Sequence, residues 1–182
     1  SMVPSEPPRP HSDFRIPNSE FDEAYPDDEK GGKDRALPLR RLVGCLAIVA
    51  QLERMGDHAR HVARGTLRIL PEPHMKPLID IPRMADKTTA MLRRSMGAFI
   101  NRDADGAKKI AAEDDDVDSL YDQVFRELLT FMMEDPRTIT RATRLIWVAH
   151  NLERAADRVT NICERVVFSV TGKMEEMGAS TY

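Results

Sequence analysis

The stretch Asn151-Leu152-Glu153-Arg154-Ala155-Ala156-Asp157-Arg158-Val159-Thr160-Asn161-Ile162 decides the fold, because its core occurs a second time. One hundred residues earlier the chain reads Leu52-Glu53-Arg54-Met55-Gly56-Asp57. Both copies spell Leu-Glu-Arg-x-x-Asp, and sliding one onto the other sets Ile48 on Val148 and Val62 on Ile162 without a gap. Each copy sits among apolar residues spaced three and four apart, the period of an α-helix. The upstream series is Leu42, Leu46, Val49, Leu52, Gly56, Ala59, Ala63 and Leu67. The downstream series is Leu145, Val148, Leu152, Ala155, Val159, Ile162, Val166 and Val170. A polar signature kept in one apolar register reads as the internal duplication of a helix.

Working outward, helical periodicity extends over most of the remaining chain. The upstream helix starts near Pro38, where a missing N–H is harmless, and Pro71 and Pro73 end it. A second helix is expected over Leu78 to Asn101, with Met84, Met91, Met96 and Phe99. A third runs from a cap at Asp103 or Asp105 to about Met133, with Ile110, Val117, Leu120, Val124, Leu128 and Phe131 as its stripe. Asp135-Pro136 breaks it, Thr138 is placed to cap the fourth helix, and Gly172 ends that one. Long helices with short connections make an all-α, antiparallel helical bundle.

Composition agrees. Of 182 residues, 41% are apolar but only 5% aromatic, so the core must be aliphatic, and nine glycines are too few for a turn-rich sandwich. A formal charge of −3 argues against nucleic acid as a partner. No run of about 18 apolar residues is long enough to cross a membrane. Cys45 and Cys163 lie in apolar helical stretches and are expected to be buried thiols, and a cytoplasmic protein is the default. Ser1 and Met2 read as a cloning remnant. Residues 1–36 differ from the rest: six prolines, Gly31 and Gly32, and no apolar period predict an extended or disordered arm.

The acidic residues carry the functional signal. Glu53 and Asp57 are four apart and share a helix face, as do Glu153 and Asp157, and each pair adjoins the apolar stripe. Like charges at that spacing repel, and a bound cation would turn the repulsion into binding energy. The third helix adds Glu113, Asp114, Asp115, Asp116 and Asp118, with Asp114 and Asp118 again four apart. Aspartate is a poor helix former, so such a run asks for a reason. Packed beside the fourth helix, it would bring two acidic pairs together to take a divalent or trivalent Fe, Zn, Mn, Ni or Mg ion. His150, Asn161, His58 and His61 are further ligands or supports for them. The plainer alternative is a metal-free helical scaffold, its carboxylates paired with Arg54, Arg60, Arg154 and Arg158 along solvated faces. A metal-dependent oxidase or hydrolase is a third reading. Against it, no helix carries Glu-x-x-His, and no phosphate-binding loop, nucleophile elbow or His-Glu-x-x-His is present. No catalytic residue is assigned.

At these residues the chain resembles the phosphate-uptake regulator family, PhoU. The matching strings are Leu52 to Ala59, Asn151 to Ile162, Glu113 to Tyr121 and the ending Glu164 to Gly172. The resemblance implies two three-helix repeats: here a partial first repeat over 37–72, a complete second repeat over 73–174, and a tail over 175–182. The Pro-rich arm stands where two more helices of the first repeat would lie. The resemblance further implies a negative regulator, not an enzyme. Its partners would be a phosphate ABC transporter and a phosphate-sensing histidine kinase, with membrane association only through them. It would form a homodimer and bind metal on its acidic helix faces. The second site would join Asp114 and Asp118 to Glu153 and Asp157, and the first would hold Glu53 and Asp57.

Overall fold

A computed structural model describes residues 37–71 and 78–177, and all regular structure among them is helical. The expectations for residues 1–36 and for the end of the tail lie outside the described residues. Helix α1 spans Leu37–Ile69, α2 Asp80–Asn101, α3 Ala104–Ala111, α4 Asp114–Glu134 and α5 Ile139–Thr171, with one 3₁₀ turn at Pro136–Thr138 before α5. The all-α bundle read from the sequence is the fold observed.

Helix α5 is the hub. Ala142, Ala149, Ala156, Val159, Ile162, Cys163, Val166 and Val167 are fully buried on it, because α1 packs on one side and α2 to α4 on the others. From α2, Met84, Thr88, Met91, Ser95 and Ala98 face inward at spacings of three and four. Val117, Val124 and Leu128 face inward from α4.

The third helix is broken where the sequence suggested continuity. At Ala112 and Glu113 the α-helical ladder stops, and the Glu113 N–H bonds the carbonyl of Ile110, three residues back, at 3.1 Å. A new helix then starts at Asp114. The acidic run explains the break: three aspartates are costly inside a helix but favourable in a first turn, where they face the positive end of the helix dipole. Upstream, Asp103 caps α3 by accepting the Gly106 N–H at 2.7 Å. Thr138 stands before α5 without capping it; its hydroxyl donates to the carbonyls of Phe131 and Asp135. Gly172 ends α5 with φ of 74°, its N–H on the Phe168 carbonyl.

The two marked helices, α1 and α5, run antiparallel. Gly44 lies beside Ser169, Gly65 beside Val148, and His58 Nδ1 sits 3.1 Å from Asn151 Oδ1. A Cβ on Gly65 would stand 2.6 Å from the Val148 Cγ2 methyl, which is buried on a stiff, branched side chain. Gly65→Ala should therefore destabilise the protein by about 1–3 kcal/mol. Gly97→Ala, where a Cβ meets nothing within 4 Å, should be neutral or mildly stabilising. Urea denaturation of the two variants checks the contrast.

Two expectations are corrected along α1. The face docked on α5 carries Ile48, Leu52, Met55, Val62 and Ile69. Of the apolar stripe read from the sequence, only Leu52 joins it, while Leu42, Leu46, Val49 and Leu67 point outward. The helix has two apolar faces, and periodicity cannot say which one is used. Cys45, on the outer side, is accordingly exposed, whereas Cys163 is buried as expected.

Candidate metal centre

The break before Asp114 positions the acidic site. It sets Asp114 in the first turn of α4 and Asp118 one turn later, against the part of α5 that carries Glu153 and Asp157. Asp114 is only 6% exposed and Glu153 8%. The Thr160 hydroxyl crosses from α5 and donates to Asp114 Oδ2 at 3.1 Å. Asp114 Oδ1 and Glu153 Oε2 are buried with no hydrogen-bond partner. His150 Nδ1 lies 3.3 Å from that same Glu153 oxygen, but off the line of a hydrogen bond. Asp157 receives Arg154 Nη1 at 3.2 Å on the solvent side.

The four carboxylates sense one another. Burial pushes the Glu153 carboxyl up to about 7, and the Asp157 and Asp118 charges add to the effect. Burial pushes Asp114 up to about 6, opposed by the Thr160 hydrogen bond and reinforced by Asp118 and Asp157. Asp118 is raised by burial and then by Asp157. His150 is lowered, first by burial and then by the Arg154 charge. Among the described residues no three His, Cys, Asp or Glu side chains close around a common point. The α4–α5 face thus gathers carboxylates and leaves two oxygens without donors, but does not present a finished coordination shell.

The other named residues are placed elsewhere. Glu113 turns to α2, where Arg94 grips both of its oxygens and lowers its pKa. Asn161 donates to the Asp157 carbonyl one turn back, at 2.8 Å. Glu53 is exposed, Asp57 pairs with Arg60 at 2.9 Å, and His61 is exposed. No acidic helix faces the Glu53 and Asp57 pair among the described residues, and His58 ties α1 to α5 instead.

Sequence reasoning missed Thr160 and the tail, and read Arg158 only as an ion-pair partner. With Asp114, Asp157, Glu164 and Arg165 these residues line an open cavity of about 740 Å³ bordered by Met174 to Met177. The Met177 N–H donates to Glu164 Oε1 at 3.0 Å, and Glu175 pairs with Lys108 at 2.6 Å. Thr160 was findable, since it follows Asp157 by three and Glu153 by seven on the same helix face. The tail gave no periodic signal.

A helical bundle in which two packed helices share the Leu-Glu-Arg-x-x-Asp signature, with an acidic face between its last two long helices, defines the class. The sequence model of the PhoU domain matches residues 81–166. Relatives named phosphate-specific transport system accessory protein PhoU homolog include one from Clostridium acetobutylicum, 38% identical over 78% of this chain and 65% of its own length. Another, from Deinococcus radiodurans, is 38% identical over 77% of this chain and 66% of its own length. The crystal structure of PhoU from Pseudomonas aeruginosa superposes with a TM-score of 0.73 at 35% identity, over 79% of this chain and 69% of that one. The chain belongs to the PhoU family. It spans just under two thirds of the length of the first curated relatives it matches.

Proposed function

We propose that this chain is an accessory regulator of phosphate transport that works by docking rather than by catalysis, and that its α4–α5 face binds a metal ion. On this reading it restrains uptake and the phosphate-starvation response from the cytoplasmic side. Its partners are the transporter and its sensing kinase, and it acts as a homodimer. The names of its relatives support the transport role. The metal reading rests on one observation: two buried carboxylate oxygens without donors in a cluster of four acids.

A buried polar atom without a partner calls for an explanation, and a cation supplies one. The donors are carboxylate oxygens, with the His150 imidazole at the edge, which suits hard ions such as Mn, Fe or Mg. Asp114, Asp118, Glu153 and Asp157 would hold the ion after modest side-chain rotation, and Thr160 would orient Asp114. The bound ion would supply charge neutralisation that locks α4 to α5. The plain ion-pair reading has less support, because among the described residues the permanent cation bonded to the four is Arg154, on the exposed side of Asp157.

Elemental analysis of the purified full chain, followed by titration with Mn²⁺, Fe²⁺ and Zn²⁺, tests the site. Stoichiometric binding should weaken about 100-fold in an Asp114→Asn, Asp118→Asn variant. Trace metal only, unchanged by the variant, would remove the metal from the proposal. Capture of the transporter ATPase at high phosphate tests the docking role separately, and no capture would count against it.

A further inference from the structure

Helix α4 carries on its outer side a stripe made of two unlike halves. Asp115, Asp118 and Asp122 are followed by Phe125, Leu129 and Met133, at steps of three and four along one face. Asp118 is half-buried and the other five are exposed, Phe125 by 41% and Met133 by 70%. Ring contacts carry the apolar half across to α5. Tyr121 packs on Phe125 with centroids 6.4 Å apart and on His150 at 6.0 Å, and His150 meets Trp147 edge-on at 6.0 Å. Trp147, the only tryptophan of the chain, is 62% exposed. The two helices run antiparallel, so exposed Ile139 lies at the Met133 end of the stripe.

The acids of this stripe lack what their neighbours have. Glu113 and Asp116, from the same acidic run, turn to α2 and are bonded by Arg94 and Lys87. Among the described residues no cation bonds Asp115, Asp118 or Asp122. The arginines around the patch have other partners. Arg154 holds Asp157, Arg144 donates to the Arg68 carbonyl at 3.1 Å, and the Arg126 Nε–H goes to the main-chain carbonyl of Asp122 at 3.3 Å.

We propose that this outer α4–α5 face takes an amphipathic helix of a partner protein, one whose contact stripe is apolar at one end and carries lysine or arginine at the other. The apolar end lies over Phe125, Leu129 and Met133, beside Trp147, and the basic end over the three aspartates. Helix-in-groove recognition uses anchors at such three- and four-residue steps. Exposed aromatic side chains concentrate binding energy at interfaces, and the acidic end fixes direction and speeds encounter. Charge decides against other occupants. Three unpaired aspartates repel an anionic lipid surface or a nucleic acid. A second copy of the same stripe fails in both directions. Parallel pairing sets aspartate on aspartate, and antiparallel pairing sets aspartate on phenylalanine, leucine and methionine.

Size sets the class of contact. The stripe from Asp115 to Met133 runs about 27 Å, and two helices side by side are about 20 Å across, so a seated helix covers about 500 Å² on each partner. That belongs with transient signalling contacts, not with permanent assemblies. The inference rests on the docking role proposed above and gives it a surface and a partner chemistry. It does not need the metal, although Asp118 would serve both.

The test uses the full chain in chelator and a synthetic helical peptide of about 20 residues. The peptide has leucine at three- and four-residue steps in one half and lysine at the same steps in the other. Titration should shift Trp147 emission to the blue and protect it from acrylamide. Asp115→Lys with Asp122→Lys should weaken binding about 30-fold, with helicity by circular dichroism unchanged. A peptide with glutamate in place of lysine should leave the native chain unaltered and bind that variant. Asp115→Asn with Asp122→Asn, which keeps the side-chain shapes, should weaken the lysine peptide about fivefold and flatten its salt dependence. Phe125→Ser should weaken it about tenfold. No change in Trp147 emission at millimolar peptide would overturn the proposal, as would binding that these variants leave unaltered, or equal binding of the glutamate peptide. A blue shift with phosphatidylglycerol vesicles and none with peptide would assign the face to a lipid surface and likewise overturn it. Capture of the transporter ATPase separates this inference from the docking role. Capture that survives the lysine variant removes the face and keeps the role, whereas peptide binding without capture keeps the face and removes the role.

Discussion

Metal-free protein should be less stable at pH 8 than at pH 5, and saturating Mn²⁺ should reverse that order. Glu153 and Asp114 hold their protons to about 7 and about 6 in the folded chain, against ordinary values of 4.5 and 3.8. Between the unfolded and folded values the folded state carries more protons, so stability falls as pH rises through that window. The loss begins near pH 4 and is complete above pH 7. At about 1.4 kcal/mol per pH unit, a rise of about 2 for each acid amounts to about 6 kcal/mol for the pair. His150 works the other way, since its lowered pKa favours folding as pH rises through its ordinary value, but it is one partly solvated group against two buried ones. A bound cation needs the carboxylates ionised, so the loaded protein gains stability over the same range. Thermal melts from pH 5 to 8, in chelator and in Mn²⁺, measure both slopes. A flat metal-free profile would mean that the acids are not held back by burial. No shift with any metal would mean that the face is not a cation site.

Glu153→Gln should separate the two meanings of the acidic face. The substitution keeps shape and removes one buried charge. In chelator at pH 8 it should stabilise the chain by about 2 kcal/mol, because an ionised, unpartnered Glu153 is what burial opposes. The same variant should bind metal about 100-fold more weakly. Opposite signs on stability and affinity are the mark of a site held open for a cation. Should Glu153→Gln instead destabilise the metal-free protein, the carboxylate must be gaining from a protonated His150, 3.3 Å away, and the face would be an ion-pair network.

The fold and half of the site were legible in the sequence, for identifiable reasons. Period 3.6 gave the helices, and the repeated signature tied α1 to α5. The spacing of Asp114 to Asp118 and of Glu153 to Asp157 put four carboxylates on two faces, and the structure brings those faces together. What failed were choices between equally periodic options. On α1 the outer stripe, with more leucine, looked like the core, yet the inner one docks, with Gly44 close to the α5 backbone and Gly65 making room for the Val148 methyl. The α3–α4 break carries no glycine or proline, and only the cost of stacked aspartates hinted at it. Glu113 belonged by spacing to the acidic run, but the break rotates it toward Arg94. Thr160 and the tail act through contacts between distant parts of the chain, which no local pattern records.

The tail has a practical consequence. It leaves the described residues at Met177, tied by its N–H to Glu164 and by Glu175 to Lys108, beside the cavity that contains Asp114 and Asp157. Met177 therefore stands at the rim of the acidic face. A polyhistidine purification tag adds imidazoles that compete with the carboxylates for metal, and nickel carried from the column could occupy the face and pass for a native ion. Metal stoichiometry is therefore best measured on protein whose carboxyl-terminal tag has been cut away, or on protein purified without metal affinity.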